Sequence, residues 1–216
     1  MAGRKRGHSS PPAVEPDNRS LDRLIFFSDA VIAIAMTLLA LEVRLPLEQG
    51  VFTEAKLQQE LAAISGKYLA FFVSFLVIAF FWIGHWRKFG LIRRVDTRLV
   101  WLNVIFLMAI CSVPFASSVL QDHGNLRTAV ILYAAVVVAA SLLSALQWFY
   151  AVRAGLVDPN ITREQVRRSL LSPLYTAAIF ALSIPISFYD ADWAKYFWLL
   201  LIPSFLISVG VPVLRR

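Results

Sequence analysis

The chain has 216 residues, of which 58% are hydrophobic and only 16% charged, with 21 Lys or Arg against 14 Asp or Glu. A soluble domain carries roughly 25% charge, so this composition excludes an ordinary water-soluble fold and points to lipid as the main solvent. The basic excess does not mark a nucleic-acid binder, because no aromatic residues are interleaved with the cations in a groove pattern.

Residues 1–19 contain Arg4-Lys5-Arg6 and Ser9-Ser10-Pro11-Pro12 and read as a disordered polar segment ahead of a six-span membrane domain, 20–216. Ser20 is the expected N-cap of the first helix, with Asp22 in its first turn. Six apolar blocks follow, predicting spans at about 22–45, 67–87, 98–120, 127–153, 170–189 and 194–214. About 20 residues at ~1.5 Å each cross a ~30 Å hydrocarbon layer, so every block is long enough. Leu24–Leu41 holds one ionisable residue, Asp29, and Tyr68–Trp86 holds only His85. Leu99–Leu120, Thr128–Val152, Ser169–Tyr189 and Tyr196–Leu214 contain no Asp, Glu, Lys or Arg. The first block is too long, and lacks the small-residue cleavage pattern, for a secretory signal. The polar 46–66 stretch is the longest external connection and is expected to hold a short amphipathic helix. Pro114 and Pro185 predict kinks of the sort membrane helices tolerate. Cys111 is expected to be a small buried residue without a disulfide partner. There is no internal repeat to support an inverted-repeat transporter.

With six spans, the N-terminal segment, the 87–98 loop, the 153–168 loop and the C-terminus share one side and hold 16 of the 21 Lys and Arg residues. The other side takes Glu42, Glu48, Glu54, Glu60, Asp122, Asp190 and Asp192. The positive-inside rule therefore predicts a multi-pass protein of the cell membrane with both termini cytoplasmic. The clusters Arg4-Lys5-Arg6 and Arg87-Lys88…Arg93-Arg94 flank spans and are expected to meet anionic headgroups.

An aspartate within a span is costly and needs a partner. Trp82 and His85 in the second block and Asn103 in the third lie at the depth of Ser28 and Asp29. Two readings compete. One is a proton relay between Asp29 and His85; the other is a hydrogen-bonded clasp joining the first helix to the second and third. The clasp is the simpler, because a relay should continue across the membrane and no second ionisable residue lies deeper in any block.

The Arg-x-x-x-Phe-Ser-Asp pattern of Arg23, Phe27, Ser28 and Asp29 runs into Ile34-Ala-Met-Thr37-Leu38. Trp82 and His85, then Asn103 and Pro114-Phe115, follow in order. Over residues 20–116 this resembles the transmembrane protein 175 family of potassium channels, while the later blocks match mainly in number and hydrophobicity. Trp86 stands where many relatives have a second histidine. The resemblance implies an all-α, six-span subunit of a homotetramer whose first helices line the pore. It implies Ile34, Leu38 and Leu41 as pore-lining residues, Thr37 as a hydroxyl layer, and Arg23, Phe27, Ser28, Asp29, Trp82, His85 and Asn103 as a structural network.

At ~100° per residue, Ile34, Thr37, Leu38 and Leu41 fall within about 100° of one another and Asp29 points about 130° from their centre. Clasp and pore would then use different faces of one helix, although an Ile/Leu stripe by itself usually faces lipid or neighbouring helices. No Thr-Val-Gly-Tyr-Gly segment is present, so a carbonyl filter is excluded and a narrow apolar ring is the expected constriction. The expected function is a potassium-selective channel with no cofactor beyond the permeating ion and no enzymatic activity, since no paired carboxylates, metal cluster or nucleophile–base set stands out. The alternative is a proton-coupled secondary transporter or proton pathway using Asp29 and His85.

Overall fold

Long apolar runs in lipid must satisfy their backbone polar groups internally, and this chain does so with helices. The computed structural model describes residues 16–43, 53–63 and 65–201. The helices are α1 (Pro16–Glu42), α2 (Glu54–Ala63), α3 (Ser65–Phe89), α4 (Thr97–His123), α5 (Arg127–Arg153), α6 (Arg163–Ile186) and α7 (Ala191–Phe197), followed by a 3₁₀ turn at Trp198–Leu200. Among the described residues, five stretches are long and apolar enough to cross a membrane: Arg19–Glu42, Ala70–Phe89, Thr97–His123, Arg127–Arg153 and Arg163–Ile186. The sixth expected block, 194–214, lies largely outside the described residues, as do residues 1–15.

Two local expectations change. The described part of the first helix already includes Pro16, placing Ser20 inside it instead of at its cap. Cys111 is exposed, not buried. The buried face of α4 runs through Asn103, Phe106, Ile110, Val113, Ser117 and Leu120, and position 111 falls off that period. The expected short helix between the first two spans is α2.

α4 and α5 form the centre of the bundle; α6 packs on α5, and α1 lies across α4 and α3. Between membrane helices there is little hydrophobic drive, so close approach and interhelical hydrogen bonds must hold the bundle. Ala35, Ala116, Ala134 and Ala140 are fully buried where helices meet, and Phe106, Ile110, Tyr133 and Phe180 fill the spaces between them.

A second, smaller core closes one end. Leu21 and Leu24 of α1, Phe89, Ile92, Leu99, Ala151 and Leu156 pack together beneath the 90–96 and 154–162 loops. Those loops are zipped: the Leu156 carbonyl accepts from the Arg93 and Arg94 amides at 2.8 and 3.2 Å, and the Asp158 amide donates to the Leu91 carbonyl at 2.9 Å. Ile92 and Val157 form an isolated antiparallel bridge. Gly155 makes the turn possible at φ 67°, a left-handed conformation that a side chain resists. Asp96 caps α4 through the Leu99 amide at 2.8 Å, and Thr162 and Gln165 form a capping box on α6.

Candidate functional site

The first helix has two unlike faces. Ile32, Ala35 and Leu39 are completely buried, as is Ser28 one turn earlier. Ile34, Leu38 and Leu41 are 59%, 41% and 63% exposed in the single chain, and Thr37 is exposed beside them. The Thr37 hydroxyl donates to the Ile34 carbonyl at 2.8 Å, which leaves the lone pairs of its oxygen available on the exposed face.

The buried face carries the polar contacts. Trp82 Nε1 of α3 donates to Asp29 Oδ1 at 2.9 Å. Asn103 Nδ2 of α4 donates to Ser28 Oγ at 2.8 Å, and the Ser28 hydroxyl donates to the Leu24 carbonyl at 2.7 Å. Asn103 Oδ1 accepts from His85 Nε2 at 3.0 Å and from Gln147 Nε2 of α5 at 3.2 Å. That pairing makes His85 the Nε2–H tautomer. The imidazole is stacked on Phe89, with ring centroids 4.0 Å apart, and lies parallel to Phe106 at 5.8 Å. Asn103 is thus the hub where α1, α3, α4 and α5 meet, and each of its amide atoms is used.

Ser28, Asp29, Trp82, His85 and Asn103 are brought together, but Asp29 and His85 are not bonded to one another. Arg23 and Phe27 take no part in these hydrogen bonds. Both are exposed, because helical phase puts them within about 20° of Ile34 and about 100–140° round the helix from Ser28.

Two participants lie outside the expected set. Gln147 is a polar residue inside an apolar block, the same signal that marked Asn103. Lys88 was expected among the headgroup-facing cations, yet it is only 5% exposed. Its ammonium donates to the Ser144 carbonyl at 3.0 Å and to the Ser144 hydroxyl. Lys88 lies three residues after His85 and so shares its buried face, whereas its neighbour Arg87 does not. No group of three or more His, Cys, Asp or Glu that could hold a metal occurs among the described residues.

A bundle of apolar helices, fastened by interhelical hydrogen bonds and presenting an apolar face with a hydroxyl, has the makings of a conduit. Residues 23–114 match the family described as endosomal/lysosomal potassium channel TMEM175. A potassium channel of Streptomyces collinus is 32% identical over 78% of this chain and 83% of its own length. The crystal structure of a lysosomal potassium-selective channel TMEM175 homolog from Chamaesiphon minutus superposes with a TM-score of 0.77, at 26% identity, covering 89% of this chain and 100% of that one. The endosomal/lysosomal proton channel TMEM175 of Danio rerio is 29% identical over 76% of this chain but only 29% of its own length. The chain belongs to the TMEM175 family, a family of ion channels and not of enzymes.

Proposed function

We propose that this chain is the subunit of a homotetrameric potassium-selective channel of the cell membrane, with six spans, both termini cytoplasmic, and α1 lining the pore. The observation that carries the reading is the two-faced α1. The clasp holds its Ser28 face against α3 and α4, leaving Ile34, Thr37, Leu38 and Leu41 uncovered by the other described residues. The names of the bacterial relatives support potassium as the permeant ion.

Four copies of Ile34, with Leu38 and Leu41 beyond, make a ring that dewets when closed and forces partial dehydration when open. Potassium, larger and less tightly hydrated than sodium, loses less in passing. Thr37 oxygens replace part of the lost water, since the hydroxyl proton is engaged with the Ile34 carbonyl and the lone pairs are free for a cation.

The second reading, a proton pathway through Asp29 and His85, draws support from the animal relatives named as proton channels. Against it, Trp82 and Asn103 separately occupy the two groups. The test is Thr37→Ala and Asp29→Asn in reconstituted protein under opposed potassium and sodium. The channel reading expects Thr37→Ala to conduct with a reduced potassium preference, and Asp29→Asn to impair assembly. A well-assembled Asp29→Asn protein that loses only proton-driven flux would replace it with the relay.

A further inference from the structure

The zipped-loop end gathers three exposed arginines, Arg94, Arg98 and Arg153, of which Arg98 alone has a carboxylate, Asp96, beside it among the described residues. Arg94 donates to the Gly155 carbonyl at 3.2 Å, which sets it beside the turn that follows Arg153, the last residue of α5. Arg98, in the first turn of α4, lies beside the Tyr150 hydroxyl and Asp96. All three are exposed. The nearby carboxylates are already engaged: Asp158 with Arg93 at 2.8 Å, Glu164 with Arg168 and Arg167 at 2.6 and 3.1 Å, and Asp96 with the Tyr150 hydroxyl and the Leu99 amide. Arg94 and Arg153 have no carboxylate within ion-pair distance among the described residues.

What the cluster would meet is set by its neighbours. Trp101, one turn into α4 from Arg98, is 64% exposed, and Phe149, one turn into α5 from Arg153, is 52% exposed. Aromatic rings one turn inside a row of cations mark the boundary between headgroups and hydrocarbon, not an aqueous docking face. Beneath the cluster lies the smaller core, which includes Leu21 and Leu24 of α1.

We propose that Arg94, Arg98 and Arg153 form a binding site for an anionic phospholipid headgroup, and that occupancy acts on conduction through the core shared with the start of α1. Arginine matches a phosphodiester because its planar fork can donate two parallel hydrogen bonds. The coupling to conduction rests on the channel reading; the binding site does not. Each arginine contributes roughly five-fold to affinity for an anionic surface.

The test uses the full chain in two formats. In detergent, phosphatidylglycerol binding is followed through the rise in melting temperature, with inorganic phosphate as the soluble comparison. In phosphatidylcholine vesicles with or without phosphatidylglycerol, potassium flux is followed. Phosphatidylglycerol is expected to raise both quantities. Arg98→Gln/Arg153→Gln should weaken lipid binding by roughly 25-fold, while Arg167→Gln/Arg168→Gln, with the same loss of charge, should bind as the parent does. Equal weakening in both variants, no binding by the parent, or full replacement by inorganic phosphate would overturn the site. Lipid binding in a conducting protein whose flux ignores phosphatidylglycerol would overturn the coupling. A chain that binds lipid but conducts nothing would fail the channel reading alone. Since Arg94 also braces the Gly155 turn, it is left intact in the variants.

Discussion

At the scale of single residues, Asn103 concentrates the most consequence. Its amide serves two donors and one acceptor from three other helices, all buried. Asn103→Ala strands the His85 and Gln147 N–H groups together and is expected to destabilise the subunit by about 2 kcal/mol. A single interhelical hydrogen bond in a membrane bundle averages nearer ~0.6 kcal/mol, so the excess measures the hub. Ser28→Ala removes one acceptor and should cost about 1 kcal/mol. Unfolding in detergent should rank Asn103→Ala as the more damaging; the reverse order would show that the hub is elsewhere. Trp82, His85 and Asn103 were legible because polar side chains stand out in apolar blocks and depth can be counted along a helix. Lys88 was not, because beside Arg87 it reads as a flanking cation, and only the burial of its helix face separates the two. Arg23 and Phe27 belong to the family's motif in sequence, yet a six- and two-residue offset from Asp29 and Trp82's contact turns them to the other side of α1.

At the scale of elements, the zipped loops join the ends of α3, α4, α5 and α6 to the start of α1. Their outer brace is Asp158, whose carboxylate accepts from the Asn160 amide at 2.9 Å and from Arg93 at 3.0 and 2.8 Å. These contacts, the Asn160 amide first and the Arg93 guanidinium second, hold its pKa below the ordinary aspartate range. A lowered folded-state pKa means the brace is fully present above the unfolded aspartate value, about 3.9, and is lost as pH falls through the lower folded value. Protection of the Arg93 and Asp158 amides, taken as exchange relative to the intrinsic rate at each pH, should therefore fall below about pH 4, and Asp158→Asn should flatten that dependence. Identical profiles in parent and variant would assign the acid sensitivity to another group. The helices themselves were readable from apolar block length, and α2 from the polar stretch with a helical rhythm. The zip was not readable, since it depends on main-chain bonds between loops 65 residues apart, and its one sequence trace is Gly155. The placing of Ser20 inside α1 was missed because Ser20 and Asp22 also make an acceptable capping pattern in sequence.

At the scale of the molecule, the exposed face of α1 links subunit to channel. Ile34, Leu38 and Leu41 are no more apolar than many lipid-facing side chains, so composition could not separate pore from lipid, and the pore reading rests on the resemblance to a channel family. The structure adds that Ser28, Ile32, Ala35 and Leu39 are buried within the subunit, while the stripe is among the parts of α1 that the other described residues leave exposed. The central claim is that this stripe, repeated around an axis, passes potassium in preference to sodium. The most direct measurement is the reversal potential of the purified, reconstituted protein with potassium on one side and sodium on the other. A potassium-selective pore gives a reversal displaced toward the potassium equilibrium potential, with the displacement reduced in Thr37→Ala. A reversal that stays at zero, or that follows an imposed proton gradient instead, would contradict it.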